Sequence, residues 1–189
     1  MKKFLPVIAA AVLLAAAAAV APYFLGKRIE NVYRNEVAAL SMPGSFTAEV
    51  AEYKRGWSTS EAKVLLTLVV PDSAMSADPE IAQEVGKLTR FVVQDVIHHG
   101  PFPFAGFFAD ESSPLVALAV VDSALFFQEE PFLFAQFFGQ SALVTARTVV
   151  DFGGGLAGRV VGQKLTYKAP DGTFDIDWKG FDGRYTYTG

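Results

Sequence analysis

From Phe4 to Leu25 the chain runs for 22 residues without a charged side chain. As a helix rising about 1.5 Å per residue, that stretch is roughly 33 Å long, close to the ~30 Å hydrocarbon core of a bilayer. A single membrane-spanning helix is the expectation, with Phe4, Leu5, Val7, Ile8, Val12, Leu13, Leu14, Val20, Tyr23, Phe24 and Leu25 meeting lipid. Lys2 and Lys3 precede it and Lys27 and Arg28 follow it, so the count of flanking cations is nearly balanced. A three-residue leader is trivial to retain on the cytoplasmic side, which places the larger C-terminal part outside. A cleaved signal peptide is the rival reading, because nine of the 22 residues are alanine and Ala17-Ala18-Ala19 or Ala19-Val20-Ala21 fits a small-residue cleavage site. The apolar run continues past either site through Tyr23, Phe24 and Leu25, which favours the anchor. Both readings give the same extracytoplasmic compartment. Pro6 falls near the start of the span, where a missing N–H matters least, whereas Pro22 is expected to bend the last turn.

The rest of the chain is apolar enough to fold. Of the 189 residues 51% are hydrophobic and the mean hydropathy is +0.29, which excludes a disordered tail and suits one sizeable domain. A net charge of −4 and a pI near 5.2 leave no general cationic field for phosphates, which disfavours a nucleic-acid partner, and none is expected. The chain has no cysteine, which removes disulfides, thiolate catalysis and thiolate metal sites.

Past the apolar run, Ile29, Val32, Tyr33, Val37 and Leu40 recur at steps of three and four, predicting an amphipathic continuation of the helix that packs on the domain. Met42-Pro43-Gly44 ends it. From Ser45 the period becomes two. Phe46, Ala48 and Val50 alternate with Thr47 and Glu49, and Ala62, Val64, Leu66, Leu68 and Val70 share a face, predicting a hairpin connected through residues 54–60 and closed by Pro71-Asp72. Asp78-Pro79-Glu80 reads as the start of a short helix reaching about Val85. Runs over 89–98 and 115–127 are aromatic and β-branched enough for buried strands, separated by a loop or broken helix around Gly100-Pro101-Phe102-Pro103. Glu130 to Phe138 suits a second short helix. A strand meander follows over 142–152, 159–169 and 173–178, turning at Gly153-Gly154-Gly155 and Pro170-Asp171-Gly172, with a last alternating segment from Phe181 to Thr188. That ending implies a fragment, or an edge that something else covers.

The short basic N-terminus, the single span, Gly26-Lys27-Arg28-Ile29-Glu30 with Tyr33, then Tyr53-Lys54-Arg55-Gly56-Trp57-Ser58-Thr59-Ser60 and His99-Gly100-Pro101-Phe102-Pro103 together resemble the YdgA-like family of bacterial envelope proteins over most of the chain. The resemblance implies an inner-membrane-anchored periplasmic protein with a β-rich domain and no catalytic residues to carry over. Members of that family are usually much longer, which implies that this chain holds an N-terminal portion.

Candidate chemistry is sparse. His98 and His99 are the only histidines, and neighbours on a strand point to opposite faces, so a shared ion is not expected; a role in hydrogen bonding, or as ligand with Asp95 or Asp110, remains for each singly. Asp175 and Asp177 fall two apart on one strand face, the spacing of a solvated face, of paired acid–base carboxylates or of a cation site, with the solvated face expected. The three glycines from Gly153 lack the Lys-Ser/Thr continuation of a phosphate loop and read as a turn. Ser58, Thr59, Ser60, Ser112 and Ser113 stand in no nucleophile-elbow motif, and only His98 or His99 could serve them as a base assembled in space. Arg55 and Trp57 can stack as cation and ring, fixing a hairpin corner or docking onto anionic headgroups or an envelope protein.

Phenylalanine is the unusual element, since ten of the 17 fall between Phe102 and Phe138, including the adjacent pairs Phe107-Phe108, Phe126-Phe127 and Phe137-Phe138. Adjacent rings on one strand cannot face one core, so a second buried surface is expected: a sheet buried from both sides, a partner protein, or a lipid acyl chain. The expected architecture is α+β. An anchor over 1–25 and an amphipathic connector over 26–43 lead to a β-rich domain over 44–189, a mainly antiparallel twisted sheet with two short helices on one face. The expected function is structural or binding, with the bilayer, an envelope protein or lipid as partner and with no enzymatic activity, cofactor or metal. A hydrolase using His98 or His99 is the alternative.

Overall fold

A computed structural model of the chain describes the backbone of residues 5–70, 79–100, 117–129, 141–168 and 175–188, and the side chains within these from Val20 onward except at 79 and 84. The helical and the alternating patterns meet where the sequence changes period. Helix α1 (Leu5–Leu40) is continuous and passes through Pro22. It stops at the Met42-Pro43-Gly44 turn, where the backbones of Met42 and Phe46 exchange hydrogen bonds of 2.9 and 3.0 Å and reverse the chain into the sheet.

Strands β1 (Phe46–Arg55) and β2 (Thr59–Leu68), helix α2 (Pro79–Leu88), then β3 (Arg90–His99), β4 (Ala119–Phe127), β5 (Val144–Val150), β6 (Leu156–Gly162), β7 (Leu165–Lys168), β8 (Asp175–Trp178) and β9 (Phe181–Tyr187) follow in order. Among the described residues, seven strands make one sheet in the order β1-β2-β3-β4-β5-β6-β9, each pair antiparallel, while β7 and β8 pair apart from it. The α+β expectation and its antiparallel sheet are therefore correct. The β1–β2 connection is tighter than predicted, because the strands extend to Arg55 and resume at Thr59.

The predicted strand over 159–169 is two strands. The chain leaves the sheet at Gly162 and returns at Gly180-Phe181, so the β7–β8 hairpin is an excursion between two paired strands. The crossing requires glycine: Gly180 has φ of +73°, and a Cβ there would stand 2.5 Å from the Gly162 carbonyl oxygen.

The predicted short helix starting at Pro79 is α2, and the long helix α1 supplies the layer packed against β1, β2 and β3. Ile29 and Val37 are buried, and Leu25 and Tyr33 pack beside them, which is the i, i+4 row of α1 laid against β1, β2 and β3. Their sheet partners are Ala62, Ile97 and Ala119 at one end and Ala48 and Val64 at the other. Val32 and Leu40, predicted on this face, are exposed, because the row in contact is narrower than the apolar stripe in the sequence. Burying an isoleucine or valine contributes about 1.5–3 kcal/mol, so this row holds the helix to the sheet. On the other face, Ala117, Val120 and Val149 form a smaller core.

A bulge at Ala51 shifts the register of β1 between Val50 and Glu52. The extra residue puts Val50 and Tyr53 on the same side despite their odd spacing, and Tyr53 thereby reaches the helix layer. The predicted helix over 130–138, the Asp78 cap, the hairpin closure at Pro71-Asp72, the turn at 170–172 and the segment from Pro101 to Ser113, with Asp110, lie outside the described residues.

Candidate functional site

Alternation along β3 directs Asp95, Ile97 and His99 toward α1, and the register sets Ala62 beside Asp95 and Ser60 beside Ile97 on β2. Polar groups thus enter an otherwise apolar layer. Ser60 and His99 are 1% and 0% exposed, and the Ser60 hydroxyl meets His99 Nε2 at 2.8 Å. Tyr33 of α1 donates its hydroxyl to Asp95 Oδ2, and its ring stands 5.8 Å from that of Tyr53. Tyr53 lies close enough to Ser60 to feel its hydroxyl, without a hydrogen bond of ordinary geometry. Two short polar chains therefore run beneath one helix.

The electrostatics follow from burial. His99 is held below the ordinary imidazole value first by desolvation, which the nearby carbonyls of Trp57 and Pro22 only partly offset. Its ring is neutral at physiological pH. Asp95 is pushed up by burial, and hydrogen bonds from Ser123 and Tyr33 offset part of that rise. Tyr33 is raised by burial and then by the Asp95 charge, so it remains a proton donor to the carboxylate. Asp95 Oδ1, His99 Nδ1 and the Tyr53 hydroxyl are buried without a hydrogen bond of ordinary geometry.

A serine hydroxyl on an imidazole nitrogen is half of a nucleophilic triad. The other half is not assembled here: Asp95, four residues from His99 on the same face, is engaged by Tyr33 and Ser123. Both members of the pair lie between sheet and helix, where substrate has no access. The arrangement acts as a polar strut tying β2, β3 and α1 together.

His98 points the opposite way, as strand geometry predicts. Its Nε2 stands 3.5 Å from Asp122 Oδ2, and Arg147 clamps the same carboxylate with bonds of 2.6 and 3.0 Å. This face carries an open groove of about 460 Å³ lined by Gln94, Val96, Asp122, Thr145, Arg147 and Arg159. Arg159 is itself clamped on Asp182 at 2.8 and 2.5 Å. Both guanidinium groups thus have their charge balanced by a carboxylate within the groove.

The sequence-predicted surface residues separate. Arg55 stands over the ring of Tyr23, 5.5 Å from its centroid, and pairs with Glu30 at 3.5 Å, so its aromatic partner is on α1 and differs from the expected Trp57. Trp57 occupies the β1–β2 turn and is 50% exposed. Phe126 and Phe127 are half-buried on opposite faces of β4, and Phe127 stacks on Phe91 at 5.3 Å. Phe107, Phe108, Phe137 and Phe138 lie outside the described residues, as do Ser112 and Ser113. Asp175 and Asp177 are exposed, with Asp177 paired to Lys179. Among the described residues no group of three or more His, Asp or Glu could hold a metal ion. Gly153-Gly154-Gly155 forms the predicted turn, with Asp151 accepting from the backbone of Gly153 and Gly155.

Of the expected span, Phe4 and the side chains of Leu5, Val7, Ile8, Val12, Leu13 and Leu14 lie outside the described residues. Val20, Tyr23 and Phe24 are exposed, whereas Leu25 packs on the core because it begins the row continued by Ile29. Among the described residues no helix is long and apolar enough to cross a membrane. The sequence reading missed the Ser60–His99 and Tyr33–Asp95 pairs; the available signal was the period-two placement of Ser60, Asp95 and His99 among apolar residues.

No curated protein and no solved structure matches the chain. The family described as "Bacterial protein of unknown function (DUF945)" matches residues 1–189, and the chain, over its whole length, belongs to that family.

Proposed function

We propose that the chain is a membrane-anchored envelope protein of the YdgA-like kind, carried into the periplasm by the uncharged segment over 4–25. Its sheet domain binds a partner protein or lipid and performs no chemistry of its own. The observation that supports this reading is the continuity of α1: one helix runs from the uncharged segment into the domain core, so the residues that would sit in lipid and the residues that pack on the sheet belong to one helix. Residues 5–21 of that helix, about 26 Å at 1.5 Å per residue, precede Pro22, which is buried. That length approaches the hydrocarbon thickness and sets the sheet directly at the end of the span.

The test is fractionation of the full chain from bacterial cells, with protease added to spheroplasts. Retention in the membrane after alkaline wash, with the sheet domain cleaved only from the outer side, is the expected result. Recovery in the wash, or protection of the sheet domain inside spheroplasts, overturns the reading.

The Ser60–His99 contact is the one observation that favours a hydrolase. Hydrolysis of an activated ester by the purified chain, abolished in Ser60→Ala with the fold retained, would establish that alternative. The burial of both groups leads us to expect no such turnover.

A further inference from the structure

The β1–β2 turn and the entry of α1 into the domain form one surface. His99 N donates to the Ser58 carbonyl at 2.8 Å and its ring lies against Gly26 of α1, which sets the hairpin tip against the helix turn from Pro22 to Gly26. Arg55, at the end of β1, covers Tyr23. Tyr23 and Phe24 meet edge to face at 5.7 Å and are 48% and 65% exposed, so neither ring is used by the core. Lys27 and Arg28 are exposed one helical turn further along, about 6 Å deeper into the domain. Along the helix the order is therefore uncharged, aromatic, cationic.

That order matches the layers of a bilayer surface. Aromatic rings prefer the headgroup boundary, and lysine and arginine near it are attracted to anionic lipid. We infer that Tyr23, Phe24 and Trp57 seat the domain in the headgroup layer while Lys27 and Arg28 contact lipid phosphates, so that the β1–β2 hairpin tip, and not the helix alone, touches the membrane. The inference rests on the anchored reading above and adds a second point of contact to it. The committed occupant is an anionic lipid surface, because the exposed rings and cations continue directly from the uncharged helix. A protein partner on the same surface is an outcome of the test.

The test uses the full chain carrying Trp178→Phe, which leaves Trp57 as the single tryptophan. The chain is reconstituted into vesicles of phosphatidylcholine alone or mixed with phosphatidylglycerol, some carrying lipid brominated near the headgroup. The expected result is a shift of Trp57 emission to shorter wavelength and its loss to the brominated lipid, stronger with phosphatidylglycerol and weakened in Lys27→Glu/Arg28→Glu. Emission quenched by aqueous iodide and untouched by brominated lipid, in a chain that floats with the vesicles, overturns this inference, spares the anchor and leaves the surface to a protein. Equal loss with and without phosphatidylglycerol overturns the contact with anionic headgroups. A chain that does not float with the vesicles overturns the anchor and this inference together.

Discussion

Gly26 of α1 lies flat against the imidazole of His99: a Cβ at that position would stand 2.5 Å from Cε1 and 2.8 Å from Nδ1. The ring is fully buried and tied to Ser60, so it has little room to give. Overpacking of this kind costs about 1–3 kcal/mol, while replacing a helical glycine by alanine returns ~1 kcal/mol of helix propensity. Gly26→Ala is expected to destabilise the domain by up to ~2 kcal/mol net, combining those two effects. In a His99→Ala background the clash is gone and the same change is expected to stabilise. Urea unfolding of the four proteins in a detergent micelle measures the cycle, and the same sign in both backgrounds would refute the contact.

The neutral state of His99 gives stability a direction with pH. Its folded value lies below the ordinary 6.5, so as pH falls through that value the unfolded chain takes a proton that the folded chain refuses. Stability is full above 6.5 and declines below it, by at most about 1.4 kcal/mol per pH unit, the worth of one proton. Asp95 acts oppositely: its folded value lies above 3.8, so at lower pH the folded state binds the extra proton and the decline is checked. The melting temperature of the wild type is expected to fall below pH 6.5 and level off toward the carboxylate range. His99→Gln should flatten the first part, and Asp95→Asn should deepen the loss in the carboxylate range, where the folded wild type binds the extra proton. A profile insensitive to His99→Gln contradicts the assignment.

Local signals were legible and side-by-side placement was not. The alternation of Phe46, Ala48 and Val50, and of Ala62 and Val64, announced β1 and β2 and the face they bury. Opposite directions for His98 and His99 followed from strand geometry alone. What failed depended on neighbours distant in sequence: Arg55 chose Tyr23 because the register of β1 against α1 brings them together. Residues 159–169 read as one strand because alternation persists through Gln163 and Lys164, while the break comes from Gly180 packing on Gly162. Ser60 found His99 through the β2–β3 register, which no single segment encodes.

Tyr33 and Asp95 form the only described link in which α1 bonds a buried carboxylate of the sheet. A hydrogen bond to a charged acceptor is worth about 1.5–3 kcal/mol and one to a neutral acceptor ~1 kcal/mol. Tyr33→Phe is therefore expected to cost about 2 kcal/mol in the wild type and ~1 kcal/mol beside Asp95→Asn. Chemical denaturation of the four combinations supplies the coupling. Equal costs in the two backgrounds would mean that the carboxylate draws its support elsewhere.

Asp151 organises the turn between β5 and β6, where its Oδ1 accepts from Gly153 N at 2.6 Å and from Gly155 N at 2.9 Å. Backbone bonds from Asp151 N to the Gly155 carbonyl at 2.9 Å and from Gly154 N to the Asp151 carbonyl at 3.3 Å close the same turn, and the three glycines supply no side chain that could replace the carboxylate's two bonds. The turn also fixes the register of β6, and through it the pairing of β9 at the sheet edge. Asp151→Ala is expected to cost about 1 kcal/mol, the worth of a surface turn bond. Asp151→Asn keeps the acceptor oxygen and should recover most of that loss. Amide hydrogen exchange localises the effect: faster exchange in β6 and β9 with β1 to β3 unchanged is the expected pattern, whereas uniform acceleration would assign Asp151 to global stability rather than to this corner.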